Sequence, residues 1–242
     1  MPQPGSALVD AVARRFAPAG YFARYFARGK LRGDPIFFWL LRRGVIPDGA
    51  RVLDLGCGQG VLLALLVEAR AAARAGTWPG EWAPAPKELA LRGIELLEAE
   101  VARARIALGA EAAVEQGDAR DAPLPASDLV LLIDVVHYLE PEAQERLLAR
   151  IHAALAPDGI FLLRICDAAA GWRALATRAG DAFATLTRHG RLPRVWLRSA
   201  AEWQARLAAA GFAATSQAMS EGTPFANVLF CARRESARGG AA

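Results

Sequence analysis

Four acidic positions and one glycine-spaced turn hold the chemistry that this sequence can do. In Asp54-Leu55-Gly56-Cys57-Gly58-Gln59-Gly60 a carboxylate precedes three glycines at alternate positions. A glycine turn at the carboxyl end of a buried strand lets a ligand come close to the backbone. The dinucleotide fingerprint would place its third glycine at position 61, which is Val61. A pyrophosphate would be repelled by Asp54, whereas a ligand with a cationic amino group would be attracted. Glu95 closes the next strand-like run, Leu91 to Ile94. An acid at the end of a second strand can accept both hydrogen bonds of a ribose diol. Gly117-Asp118-Ala119-Arg120 leaves a third short run, and by itself is turn chemistry. Asp134-Val135-Val136-His137-Tyr138 follows Ser127 to Ile133, the strongest buried-strand pattern of the chain. His137 titrates near neutral pH, so it suits a general base; it equally suits a helix cap or a group packed under its loop. Tyr138 is open to two roles of its own, substrate contact or packing.

The nonapeptide Val52 to Gly60, followed in order by Glu95, Asp118 and Asp134, resembles motif I and the later strand ends of the class I S-adenosylmethionine (SAM)-dependent methyltransferases. The resemblance covers roughly residues 45–235. It implies that the turn of Asp54, Gly56, Cys57, Gly58 and Gly60 backs onto the methionine end of the cofactor. Glu95 is then the ribose-binding acid, with Leu96 beside it. Asp118 would lie by the adenine amino group, with the Ala119 backbone nearby, and Asp134 by the methionine portion and the transferred methyl. His137 and Tyr138 are the candidate catalytic side chains. The implied reaction is methyl transfer to a small acceptor, aromatic or otherwise apolar. No Asn-Pro-Pro-Tyr motif of nucleobase N-methyltransferases occurs, and no acidic cluster near Asp134 signals a metal site. Two other readings stay open: a SAM-binding but non-catalytic partner or regulatory protein, and a nicotinamide-dependent oxidoreductase.

The elements that must position these residues follow an α/β alternation. Strands are expected at Val52 to Leu55, Leu91 to Ile94, 113–116, 127–133 and 160–165, each feeding a turn that carries a candidate residue. Helices are expected at 61–74, 96–108 and 142–155. A capping box at Ser199 and Glu202 opens a further helix before a terminal strand pair, 212–217 and 226–232. The fold class is a doubly wound, Rossmann-like sheet. The family resemblance implies seven strands in the order 3-2-1-4-5-7-6, with strand seven antiparallel. Residues 1–44 read as an N-terminal helical lid and 45–235 as the SAM-binding domain. Within it, 167–198 is an insertion after strand five, where Trp172, His189 and Trp196 are candidate pocket walls. Residues 236–242 read as a disordered tail, with order fading from Arg233. The repeat Tyr21-Phe22-Ala23-Arg24-Tyr25-Phe26-Ala27-Arg28 makes one aromatic stripe on a helix. It is expected to dock that helix on the domain, or to cover the substrate, or to contact a membrane or protein. The proline-rich stretch 76–86, with Trp78 and Trp82, is a long loop pinned to the domain edge. Glu98 and Glu100 read as exposed helix positions.

Composition excludes several classes. The 242 residues carry a formal charge of +4, and the acids are interspersed with the bases, so no nucleic-acid footprint stands out. Nearly every base is Arg, only Lys30 and Lys87 being lysine, which fits an Ala- and Arg-rich codon composition. No apolar run approaches a membrane span, and Met1 to Ser6 lacks the layout of a signal peptide, so a cytoplasmic protein is expected. Cys57, Cys166 and Cys231 have no metal-ligand spacing. Cys57 is expected to fill the turn, the other two to be buried thiols.

Overall fold

The computed structural model describes residues 5–171 and 194–235. Seven strands, numbered in chain order, form one sheet in the order 3-2-1-4-5-7-6. The chain divides into two compact units, residues 1–123 and 124–242.

In the first unit, β1 (Arg51–Leu55) pairs in parallel with β2 (Ala90–Glu95), and β2 with β3 (Ala113–Gln116). Helix α4 (Val61–Arg74) buries nearly all its apolar side chains and connects β1 to β2, while α5 (Glu98–Leu108) connects β2 to β3. The second helix starts two residues later than its sequence pattern indicates. Leu96 and Leu97 stay outside it because the Glu95 carboxylate takes the Leu97 amide at 2.9 Å. Glu100 is buried, not exposed, since its carboxylate is met by Arg103 at 2.9 Å one turn on.

Three helices precede the sheet: α1 (Ser6–Arg15), α2 (Tyr21–Gly33) and α3 (Ile36–Arg43). Arg15 ties α1 to α4 and α5, pairing with Glu68 of α4 and donating to the Ala107 carbonyl of α5. Helix α2 docks through Ala23, Ala27 and Leu31, which are buried. Small alanines let its backbone approach the domain, and the aromatics point the other way. Tyr21 is 81% exposed, and Phe22 and Tyr25 are exposed as well. The main docking face is therefore the alanine face, and the stripe contributes through Phe22, which stacks on half-buried Phe26 and carries Arg103 of α5 over its ring.

The proline-rich loop is pinned as expected, and the anchor is α3. Trp82 is buried edge-on between Trp78 and Phe38, with Arg42 over its ring at 5.3 Å. Backbone contact is so close that a Cβ on Gly44 would lie 2.7 Å from that of Ala83.

In the second unit β4 (Ser127–Ile133) pairs in parallel with β5 (Leu155–Cys166). Strand β7 (Asn227–Arg234) runs antiparallel between β5 and β6 (Phe212–Ala218). Pro157, Asp158 and Gly159, a turn-like tripeptide, lie within β5 as an irregularity, where the register shifts between Ser127 and Leu129. Arg233 and Arg234 belong to β7, paired with Ala213 and Phe212, so order extends past the expected strand end. Helices α6 (Pro141–Ala154) and α7 (Ala200–Ala209) complete the unit, and α7 opens on the expected Ser199–Glu202 capping box. Trp172, His189 and the 236–242 tail lie outside the described residues. Cys166 is buried and Cys231 only half-buried. No described helix is long and apolar enough to cross a membrane.

Candidate functional site

The glycine turn is built by the end of β2. The Gly56 and Cys57 amides both donate to the Ile94 carbonyl, at 2.7 and 3.2 Å. Gly56, Gly58 and Gly60 all have positive φ, between 55° and 80°, which a residue with a side chain rarely adopts. Gly58 donates its amide to Glu95 Oε2 at 2.9 Å, and a Cβ there would meet nothing within 4 Å. The loop is thus open on the side where Gly58 lies. Both oxygens of Glu95 are aimed by backbone amides, Gly58 on one and Leu97 on the other, and each keeps a lone pair for a further donor.

Asp54 is only 4% exposed. Burial, with the Glu95 charge beside it, pushes its carboxyl up to about 7. Two acids with no neutralising cation among the described residues make this strand end a place short of positive charge. A ligand bringing an ammonium group would relieve it, and a pyrophosphate would worsen it. Leu96 is 54% exposed next to Glu95, an apolar surface of the kind a flat base covers. The carboxylate acceptors, the open turn and the charge deficit fit the adenosyl and amino-acid parts of SAM.

Cys57 is structural. Its sulfur fills the space over Gly93, where a Cβ would lie 2.6 Å from Sγ. Burial and the neighbouring carboxylates raise its thiol well above the ordinary range. Gly93→Ala should therefore destabilise the chain by about 1–3 kcal/mol. Urea unfolding checks this, and adding Cys57→Ala on the same chain should recover a large part of the loss.

Asp118 sits at the exit of β3 with its carboxylate held by Arg120 at 2.6 and 2.9 Å, which keeps it below the usual range. Ala119 beside it is buried.

The second unit carries the other candidates. Asp134 directly follows β4 with φ 60°, a left-handed conformation that few side-chain-bearing residues other than Asp and Asn adopt. Arg164 of β5, itself 0% exposed, holds it there: Nε donates to Oδ1 at 2.8 Å and Nη2 to Oδ2. His137 lies in a 3-10 turn, buried, with its ring centroid 4.3 Å from that of Tyr138. Burial lowers its pKa, against the opposing pull of Asp134. The turn is stapled from α6. Gln144 donates to the carbonyls of Val136, Leu139 and Trp196, and accepts from Arg198 Nε at 2.8 Å. Trp196 donates its amide to the His137 carbonyl at 2.8 Å. Arg164 and Gln144 escaped the sequence reading. A lone Arg inside the apolar run Phe161 to Cys166 was the available signal for the first; the second had none.

A family model described as methyltransferase domain matches residues 7–217. A carboxy-S-adenosyl-L-methionine synthase of Chromohalobacter salexigens is 32% identical over 120 residues, covering 48% of this chain and 39% of its own. The chain thus spans about two fifths of the length of that curated relative. Among solved structures, a chain of the complex between the Haloferax volcanii Trm112 methyltransferase activator and a methyltransferase superposes with a TM-score of 0.64. Identity is 16%, over 94% of this chain and 99% of that one. Human N-acetylserotonin methyltransferase, solved with SAM, gives 0.58 at 17% identity, over 97% of this chain and 60% of its own.

Proposed function

The chain belongs to the methyltransferase-domain family, of the class I SAM-dependent type, and from that premise we propose that it methylates a small aromatic or apolar molecule. The cofactor of the family is SAM. When bound, it supplies an electrophilic methyl group on a sulfonium.

The chain's own residues hold and orient. Asp54 takes the cationic amino group, Glu95 the two ribose hydroxyls, and Leu96 one face of the base. Gly56, Cys57, Gly58 and Gly60 bring the loop backbone close, and Asp118 with the Ala119 amide meets the adenine edge. Asp134, fixed by Arg164, and the turn of His137 and Tyr138 serve the acceptor side. Residues 1–44 act as a lid over the acceptor. The observation that carries the acceptor class is Tyr138, half-buried on the turn that follows Asp134 with its ring centroid 4.3 Å from that of His137. A partly open aromatic ring beside the candidate methyl-transfer position suits a planar apolar ligand.

Methyl transfer from labelled SAM to a panel of phenols, aromatic carboxylates and aliphatic amines tests the reading. Turnover confined to aromatic acceptors supports it. Turnover of only aliphatic amines, or of none, counts against it.

His137 acts here as a positioning group. Its ring is buried against Tyr138 and its carbonyl anchors Trp196. His137→Gln is expected to lower turnover by a factor that is constant with pH and well below the roughly hundred- to ten-thousandfold loss of a general base. A pH-rate profile that loses its acidic limb in the variant would instead make His137 the base.

A further inference from the structure

We propose that Gln59 is a positioning residue that couples the state of the glycine loop to the aromatic helix α2. Gln59 stands between two left-handed glycines, Gly58 and Gly60. Its side chain is 2% exposed and leaves the loop altogether: Nε2 donates to the Ala23 carbonyl of α2 at 2.8 Å. That carbonyl lies on the buried, alanine face of the helix, one residue from Phe22 and two from Tyr21 and Tyr25. The other half of the amide is unfinished. Gln59 Oε1 is buried with no hydrogen-bond partner among the described residues. A buried amide acceptor left open is costly, and most are satisfied in native structures. A shift of α2 or of the loop that brings this acceptor a donor would remove that cost, so the contact is one that can be remade.

The links from ligand to helix are contiguous. Glu95, the acid assigned to the ribose, holds the Gly58 amide. Gly58 is joined by its peptide bond to Gln59, and Gln59 holds Ala23. A second tether runs in parallel. Arg103 of α5 lies 5.2 Å over the ring of Phe22, and α5 starts three residues after Glu95. A ligand that takes up the free lone pairs of Glu95 fixes Gly58, and through Gln59 it fixes the helix that presents the aromatic face. Coupling of this kind needs a discrete element that both ends bias, and α2 with its half-bonded Gln59 is that element. The inference rests on the assignment of the glycine loop to SAM.

Amide exchange of residues 21–33, followed by mass spectrometry with and without saturating S-adenosylhomocysteine, tests the coupling. The wild type should exchange about three- to tenfold more slowly in α2 when saturated, the range one hydrogen bond supplies. Gln59→Met keeps the shape of the side chain and removes both polar atoms. At ligand concentrations that saturate it calorimetrically, it should lose that increment. A merely structural Gln59 would speed exchange equally with and without ligand, leaving the increment intact, and that result overturns the proposal. So does a saturated wild type with unchanged exchange in α2, which decides the matter even if Gln59→Met and a second variant, Gln59→Leu, fail to fold. No binding of S-adenosylhomocysteine to the wild type removes the cofactor assignment itself, and the coupling with it.

Discussion

Asp54→Asn is expected to weaken S-adenosylhomocysteine binding about ten- to a hundredfold at pH 8, the worth of a hydrogen bond to a charged group, and far less at pH 6. The pH dependence follows from burial. Asp54 in the free chain stays protonated up to about pH 7, so below that pH the wild type already lacks the charge that asparagine removes. A ligand bearing an ammonium group binds the ionised form, so affinity in the wild type should rise from pH 5 to 7 and level off above. Binding below pH 7 should release a proton, visible as a buffer-dependent heat.

The stability of the free chain runs the other way. The unfolded carboxyl titrates near 3.8 and the folded one near 7. Between those values the folded state binds the extra proton, so stability falls as pH rises through the window. The span corresponds to about 4 kcal/mol at most. Asp54→Asn escapes that loss. It should melt at a higher temperature than the wild type at pH 8 and about equally at pH 4. A variant that is more stable yet binds the cofactor less is the signature of a group placed for a ligand and not for the fold. Equal affinity of variant and wild type at pH 8 would remove Asp54 from the site.

Glu95→Ala should cost binding on the order of a hundredfold, because it removes hydrogen bonds to a charged acceptor and releases the Gly58 and Leu97 amides that it organises. Its effects distinguish it from a general loosening. Discrimination between ribose and 2′-deoxyribose forms of the ligand should collapse, since the diol acceptor is gone. Without its charge, Asp54 should titrate lower, so the pH dependence of binding in Glu95→Ala should move toward acid. Retained diol discrimination in a folded Glu95→Ala variant would assign the ribose elsewhere.

Much of this site is written locally in the sequence. Arg51 to Leu55, the three glycines and the helix from Val61 follow one another without a gap, and an apolar run, a turn and a helical pattern need no distant partner to be recognised. The same holds for β3 and β4, whose bounds match the sequence pattern. What stayed hidden depends on partners far along the chain. Arg164 meets Asp134 across 30 residues, and Gln144 meets Arg198 across 54. Gln59 was visible within the motif, but its target Ala23 lies 36 residues upstream. The aromatic stripe of α2 shows the limit of periodicity. The pattern fixes that Tyr21 and Tyr25 share a face, but the choice of the face that docks was made by Ala23 and Ala27, whose small size permits close approach.

Calorimetric titration of the wild-type chain with S-adenosylhomocysteine at pH 8, beside a parallel titration with NADH, tests the central claim most directly. Saturable binding of S-adenosylhomocysteine alone, lost in Glu95→Ala, is the predicted result. Binding of NADH in its place, or of neither ligand, would contradict the assignment of Asp54, the glycine loop and Glu95 to SAM.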